Sequence, residues 1–565
     1  MKKIFKYMVL PLLSCSVLSC SYLEYDENKN WQEVDVWSEF SNIKKYMAAV
    51  YSKTPGGFHE VGGAFLAAST DNAEHRNQRS QITKFNLGTW SMFDTPNGAW
   101  STNYTGIRLA NTFIMHADTC TLYREQFNMA AHQKNLKELY RYRGEARFLK
   151  AFFYFELFKR YGSIPLVEDW ADQLTPVEYE RNSIEDVVNK ICELCDSAYV
   201  YLPSLTDLSG NDYKNNLGHP FKGTAYALKS RAYLYGASKL SNPDGHLNHF
   251  YDSCAVYSAK LFNMGYKLEP DYGSLFVPNT ATMQNNKEVI WDIRQASSSS
   301  LETANFPIGY YSGDGNANPT QDLVDAYEFR NGEEFDWSNL SHVLDIYNVE
   351  KRDKRFGTTI LFNGAFMQGR EVECFEGGRD ASNSVVDGTR TGYYLRKFLK
   401  LDADLSADGS SSRHYWPIFR YSEILLNYAE AMNFLYGPNQ DPKGYGKTAL
   451  EAINEVRSRA GLQDLPESIS KDDFEKKLRN ERRVELAFEG HRHWDVRRWK
   501  IAEETIGIPV HGVKIIRNYN PDGSYKDEYE KYELENRVFD EKMYLYPIPA
   551  DEILMTKGLP QNPGW

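Results

Sequence analysis

Covalent bracing is scarce in this chain of 565 residues. It has seven cysteines: Cys15, Cys20, Cys120, Cys192, Cys195, Cys254 and Cys374. Cys15 and Cys20 belong to the N-terminal signal region, and the other five are too few and too scattered for a disulfide framework at this size. Cys192 and Cys195 make a CxxC inside SIEDVVNKICELCDSAYVYL, which reads as one continuous helix. A redox pair opens a helix after a strand, and a zinc site wants a second pair, so buried thiols are expected. Basic charge is also short: 65 Lys and Arg stand against 77 Asp and Glu, a net charge of −12. Nothing in that balance resembles the basic footprint of a nucleic-acid binder. No segment beyond the leader approaches the roughly 20 apolar residues of a membrane span. The motifs GxSxG, GxxxxGK[ST] and HExxH are absent, as is an EF-hand loop.

The chain opens MKKIFKYMVLPLLSCSVLSC, with three lysines, an apolar stretch and a small residue before Cys20. This is a lipoprotein-type signal peptide over residues 1–19, which leaves Cys20 as the lipidated first residue. LLSC at Cys15 is a rival box with a shorter apolar run. The sequence after Cys20, SYLEYDENKN, is polar and acidic, as suits a solvated tether.

Aromatics are plentiful at 14%, with 39 Tyr, 30 Phe and 11 Trp. Helical patterns span 105–118, 135–162, 183–202, 220–240, 248–265, 419–437, 445–461 and 471–490. Glycines just past several of these runs are stop signals, and small residues alternate with aromatics along the faces. Such faces let paired helices approach closely, as in tetratricopeptide-type repeats, although the spacing is irregular. Residues 54–100 and 266–415 are instead rich in Gly, Asn, Ser, Asp and aromatics. The expectation is one mostly α fold over 20–565. Its helical scaffold covers about 40–53, 101–265 and 416–500, and loop-rich insertions of about 54–100 and 266–415 pack on it.

The densest chemistry is NERRVELAFEGHRHWDVRRW, residues 480–499. On a helix Glu481, Glu485 and Glu489 share one face, where neighbouring arginines answer them. Ion pairs between helices are the expectation, with arginines holding the carboxylates ionised. His491 and His493 lie two apart, whereas zinc helices space histidines by four. No cofactor is called for, and a structural calcium is the one metal left open. SGDGNANP (312–319) has the composition of a calcium loop but lacks its closing glutamate. Ligand contact falls to the loop aromatics, whose faces can stack on sugar rings beside polar neighbours. These include Trp90, Phe93, Phe306, Tyr310, Tyr311, Trp337, Phe375, Tyr393 and Tyr394.

Ordered segments then carry a family resemblance. RGEARFLKAFFYFELFKRYGSIPLV (143–167), RDKRF (352–356), TGYYLRKF (391–398), YWPIFRYSEILLNYAEA (415–431), AINEVRSRAGL (452–462), the 480–499 stretch and YLYPIPADEI…QNPGW (544–565) resemble the SusD/RagB family of outer-membrane nutrient-binding lipoproteins. The resemblance covers essentially the whole chain after Cys20. It implies tetratricopeptide-like helix pairs in a right-handed superhelix supporting a loop-rich ligand-binding part, with no catalysis. It implies lipid-anchored display on a Gram-negative outer membrane. The partner would be a SusC-like TonB-dependent transporter, to which captured oligosaccharide is delivered. Some members take peptides. A scaffold without a small ligand and a surface glycoside hydrolase remain as alternatives. STDNAEHRNQ aligns with a family region supplying polar contacts, which nominates Asp71 and Arg76. Trp90 is the expected stacking residue, with Trp337, Tyr310 and Tyr311 behind it.

Overall fold

A computed structural model describes residues 33–168, 179–207, 217–278, 282, 285–382, 388–406, 409, 411–556 and 558–565. The leader, Cys15 and Cys20 lie outside the described residues.

After a short helix, Glu33–Ser38, the scaffold helices are α1 (Phe40–Tyr51), α2 (Trp100–Ala117), α3 (Met129–Tyr161), α4 (Ile184–Tyr199), α5 (Lys222–Ala237) and α6 (His249–Phe262). After the loop-rich insertion come α7 (Tyr421–Tyr436), α8 (Ala449–Ala460), α9 (Lys471–Glu485) and α10 (His491–Arg498). From α2 to α8 each helix packs on the next in the chain, and α7 also packs on α9. Serial packing of this kind is how stacked helix pairs build a tetratricopeptide-like superhelix. Local chemistry sets the ends. The Ser183 hydroxyl accepts from the Asp186 N–H at 3.1 Å and caps α4, while Thr448 and Glu451 form a reciprocal capping box on α8. The apolar face of α4 carries Val188, Ile191, Cys192 and Cys195 into the core. Burial there raises both thiols, Cys192 to about 12, so this CxxC is packing.

The loop-rich part does not hang free. Strand Val289–Arg294 pairs antiparallel with Tyr415–Arg420, so the insertion leaves and rejoins the scaffold at one ribbon. Two features depart from expectation. The predicted helix 471–490 ends at Glu485, and residues with positive φ, Phe488 at 61° and Gly490 at 79°, turn the chain into α10. A long hairpin, Val510–Tyr519 with Tyr525–Glu535, fills a region assigned to neither part. Its turn is Asn520-Pro521-Asp522-Gly523, and it docks through the Val513 N–H, which donates to the Thr391 carbonyl at 2.9 Å.

The carboxylates of 480–499 are answered mostly by arginines distant in sequence. Arg420 donates to Glu489 at 2.7 Å and Glu485 at 2.9 Å, and also pairs with Glu288. Arg355 reaches Glu481 at 2.5 Å and Glu485 at 2.9 Å. Arg457 and Arg459 close the cluster from α8. Because Glu489 lies beyond α9, the three acids do not share one helix face. Burial pushes the Glu485 carboxyl up, but three guanidiniums outweigh it and hold it far below the usual range. At Glu481 burial wins over Arg355 and Arg457 and the pKa rises, contrary to expectation. Burial and nearby cations push His491 and His493 well below the usual imidazole range. His493 spends both ring nitrogens, on Ser69 at 2.6 Å and Tyr546 at 2.9 Å. Among the described residues no group of three His, Cys, Asp or Glu is placed to hold a metal ion.

Candidate ligand-binding face

Strand Ala73–His75 pairs antiparallel with Ala317–Pro319 and brings the STDNAEHRNQ segment to the 300s loops. The ribbon extends by one bond, the Arg76 N–H donating to Asn316 O at 2.9 Å. The Arg76 guanidinium bonds the Asp314 carbonyl. Asp314 N–H in turn donates to Thr303 O at 2.8 Å, and Gly315 N–H to Phe306 O at 2.9 Å. Residues 306–315 are therefore a closed loop fixed at both ends.

Within that loop two adjacent tyrosines take opposite roles. Tyr310 turns inward, 7% exposed, and its hydroxyl donates to the Met367 carbonyl at 3.1 Å. The Arg370 guanidinium lies 3.7 Å from its ring centroid. Tyr311 turns outward and is 70% exposed. Beside them is a two-residue hairpin in which Phe366 pairs with Glu371 and Met367 with Arg370. Gln368 and Gly369 both have positive φ, 44° and 83°, as a primed turn requires. Phe366 stands at 68% exposure on this hairpin.

Asp380 ties these pieces together. Its buried carboxylate accepts from Arg370 at 2.6 and 3.0 Å, from Glu373 N–H at 2.8 Å and from Gly309 N–H at 3.1 Å. A Cβ on Gly309 would lie 2.5 Å from the Asp380 carboxylate and 2.8 Å from both Arg370 and the Arg379 carbonyl. Only glycine lets the loop approach its anchor. The result is a rigid base presenting Tyr311 and Phe366, with Arg76 and the exposed Asn77, Gln78 and Arg79 on the adjoining ribbon end. Flat rings offer stacking, and these polar groups offer donors and acceptors for hydroxyls.

The structure unites Arg76 with the Tyr310–Tyr311 loop and corrects other expectations. Trp90 is 3% exposed, packed against Phe85, Tyr546 and Trp565 at ring-centroid distances of 4.6–5.1 Å. It is a core residue and no stacking platform. Asp71 is buried and committed to Arg492 at 2.8 and 2.9 Å and Arg483 at 2.9 Å, so it has no free oxygen to offer a ligand. Burial raises its carboxyl, but the two guanidiniums outweigh this and bring it down to about 2. Tyr310 supports the face from beneath and does not stack. Phe306, Tyr393 and Tyr394 are likewise buried, and Phe93 is exposed. Trp337 is half-buried on a separate part of the insertion, where its indole N–H donates to Asp325 at 3.0 Å and its ring meets Phe335 edge-on. The sequence reading missed Phe366, Arg370 and Asp380. The short FMQGRE hairpin signal was available, but the Arg370–Asp380 pairing was not.

The calcium-like stretch is spent on structure: Asn318 donates to Gly315 O at 3.0 Å and accepts from Arg390 N–H at 3.1 Å. Burial, with His75 nearby, lowers His59 to about 4, and its ring meets Asn305 at 3.0 Å.

Comparison with known proteins places this architecture. The model of the SusD family matches residues 279–565, and one described as starch-binding, associating with the outer membrane, matches residues 21–234. SusD-like protein P2 of Formosa agariphila is 25% identical over 502 residues, which cover 86% of this chain and 84% of that protein. A SusD-like protein from Bacteroides fragilis superposes with a TM-score of 0.75 at 28% identity, covering 95% of this chain and 99% of that one. A SusD-like carbohydrate-binding protein from the same species superposes with a TM-score of 0.73 at 23% identity, covering 92% and 99%.

Proposed function

The chain belongs to the SusD family, and we propose on that premise that it is a cell-surface lipoprotein that captures oligosaccharide and delivers it to a SusC-like TonB-dependent transporter in the outer membrane. The observation that carries the reading is Tyr311, a ring 70% exposed on a loop fixed by Asp380. A platform of this kind costs little ordering entropy when a sugar stacks on it. Arg76 and its polar neighbours then face the ring hydroxyls. Related names support the class: one similar structure is of a carbohydrate-binding protein, and the profile matching 21–234 describes starch binding at the outer membrane. Cys20 would hold the protein at that surface by its lipid.

Binding proceeds here without bond cleavage. A glycosidase needs a carboxylic acid of raised pKa and a second carboxylate roughly 5–10 Å away, across the bound sugar. The acids of 480–499, including Glu481 with its raised pKa, sit within a buried cluster of guanidiniums out of reach of a sugar. Native gel electrophoresis through a panel of polysaccharides tests the reading, because a bound glycan slows migration. A peptide pool in place of the glycans tests the alternative ligand class, and new reducing ends after incubation with the bound glycan would contradict the absence of catalysis.

A further inference from the structure

A concave feature is lined by scaffold residues alone. It is a groove of about 690 Å³ between α1, α3 and the residues Tyr201, Pro203 and His219. This is within the usual range for small-ligand sites. Its charge runs against that of the chain. In a protein of net charge −12, the lining carries Lys44, Lys134, Lys137 and Arg141 against one acid, Glu138. Arg141 is already paired, 2.8 Å from the buried Glu145, and Glu138 accepts from the Tyr142 hydroxyl at 3.1 Å. Among the described residues Lys44, Lys134 and Lys137 have no ion-pair partner.

The spacing concentrates this charge. Lys134, Lys137 and Arg141 follow one another by three and four residues along α3, so they share one helix face. Like charges so placed repel unless an anion answers them, and of the three Arg141 has its answer in Glu145 and Glu138. Lys44 adds a fourth cation from α1. The same groove holds two ring faces, Tyr140 and Tyr201, with centroids 4.8 Å apart and planes at 55°. Tyr140 is 45% exposed. Tyr201 is held from one side by the Arg147 guanidinium, 4.8 Å from its centroid. The floor is rigid, since the Tyr51 hydroxyl donates to Glu145 at 2.7 Å and His219 meets the same carboxylate at 3.1 Å.

We propose that this groove is a second binding site, separate from the loop face, for an anionic sugar bearing a carboxylate or sulfate ester. The tyrosine corner takes the C–H face of the sugar ring, and the three unpaired ammonium groups take its exocyclic anion. A glycerol-phosphate headgroup supplies the anion without a ring to stack, which favours the sugar. The site stands whether or not the loop face binds neutral glycan.

The test is calorimetric titration of the full chain after Cys20 with an oligogalacturonate and with a sulfated galactan oligosaccharide. A neutral gluco-oligosaccharide, phosphatidylglycerol vesicles and a polyglutamate peptide serve as comparisons. One of the two anionic sugars should bind. Lys134→Glu with Lys137→Glu should weaken that binding at least about tenfold, and raising salt should weaken it further. Tyr140→Ala should also weaken it, and Tyr311→Ala should leave it unchanged. The lysines are exposed, so thermal unfolding of the charge-reversed protein should match wild type; if it does not, Lys44→Glu on the opposite helix gives the same readout. The site is overturned if neither anionic sugar binds, if binding survives charge reversal, or if Tyr311→Ala abolishes it. Equal uptake of vesicles or polyglutamate, lost in the same variants, would also overturn it.

Discussion

Asp380 grips Arg370 by two bonds, at 2.6 and 3.0 Å, and that guanidinium in turn covers the ring of Tyr310. Through this one pair a hairpin, a turn and a closed loop become a single surface that presents Tyr311.

Gly309→Ala tests that construction. The added methyl would lie 2.5 Å from the Asp380 carboxylate. Overpacking of this kind costs roughly 1–3 kcal/mol. The expected outcome is a lower Tm and weaker glycan binding, with far-ultraviolet circular dichroism unchanged because the helices are remote.

Arg420→Met tests the scaffold cluster. Removing the guanidinium leaves Glu288, Glu485 and Glu489 each short of a cation in the interior. Breaking a buried pair by deleting one partner costs roughly 3–5 kcal/mol. Urea unfolding should show that loss, and residual folded protein should retain its ligand affinity. Loss of affinity without loss of stability would put the cluster in the site.

These two regions also show what the sequence could disclose. The scaffold helices were legible because their apolar periodicity, caps and terminal glycines act locally. α2, α4 and α7 begin or end within a few residues of expectation. The 480–499 stretch was legible as ion pairing, but its partners Arg355, Arg420, Arg457 and Arg459 lie on other elements, and no spacing reveals them. The site was legible only as a region. Trp90 and Tyr311 both sit among polar and glycine residues, and both are ring residues in loops. One is packed against Trp565, more than four hundred residues away in sequence, and the other faces solvent. Burial of a loop residue depends on tertiary contacts of that range. The hairpin Val510–Glu535 did carry a local Pro-Asp-Gly turn signal, which the reading passed over.

Acid stability should carry the mark of Asp71. Its folded pKa of about 2 lies below the unfolded value of about 3.9. The folded state thus binds a proton less readily. The stabilisation is complete above about pH 4 and is lost as pH falls towards 2. Asp71→Asn should lower stability at neutral pH and flatten the pH dependence across that window, read from urea midpoints. An unchanged acid limb would contradict the assignment.

Cys20→Ala tests the anchor. The variant should leave the membrane fraction and fail to incorporate labelled fatty acid, while keeping its fold. Retained membrane attachment in the variant would contradict lipidation at this position, and transfer of the label to Cys15 would identify the rival site.

The central claim is that the Tyr311 face binds glycan, and the most direct measurement compares wild type with Tyr311→Ala in native gels containing a panel of neutral polysaccharides. Tyr311 is 70% exposed, so its removal should leave Tm unchanged. The account predicts that at least one polysaccharide retards wild type and that Tyr311→Ala loses most of the retardation, about tenfold or more in affinity, as stacking on one ring is worth. Equal retardation of the two proteins, or none by any glycan, would contradict it.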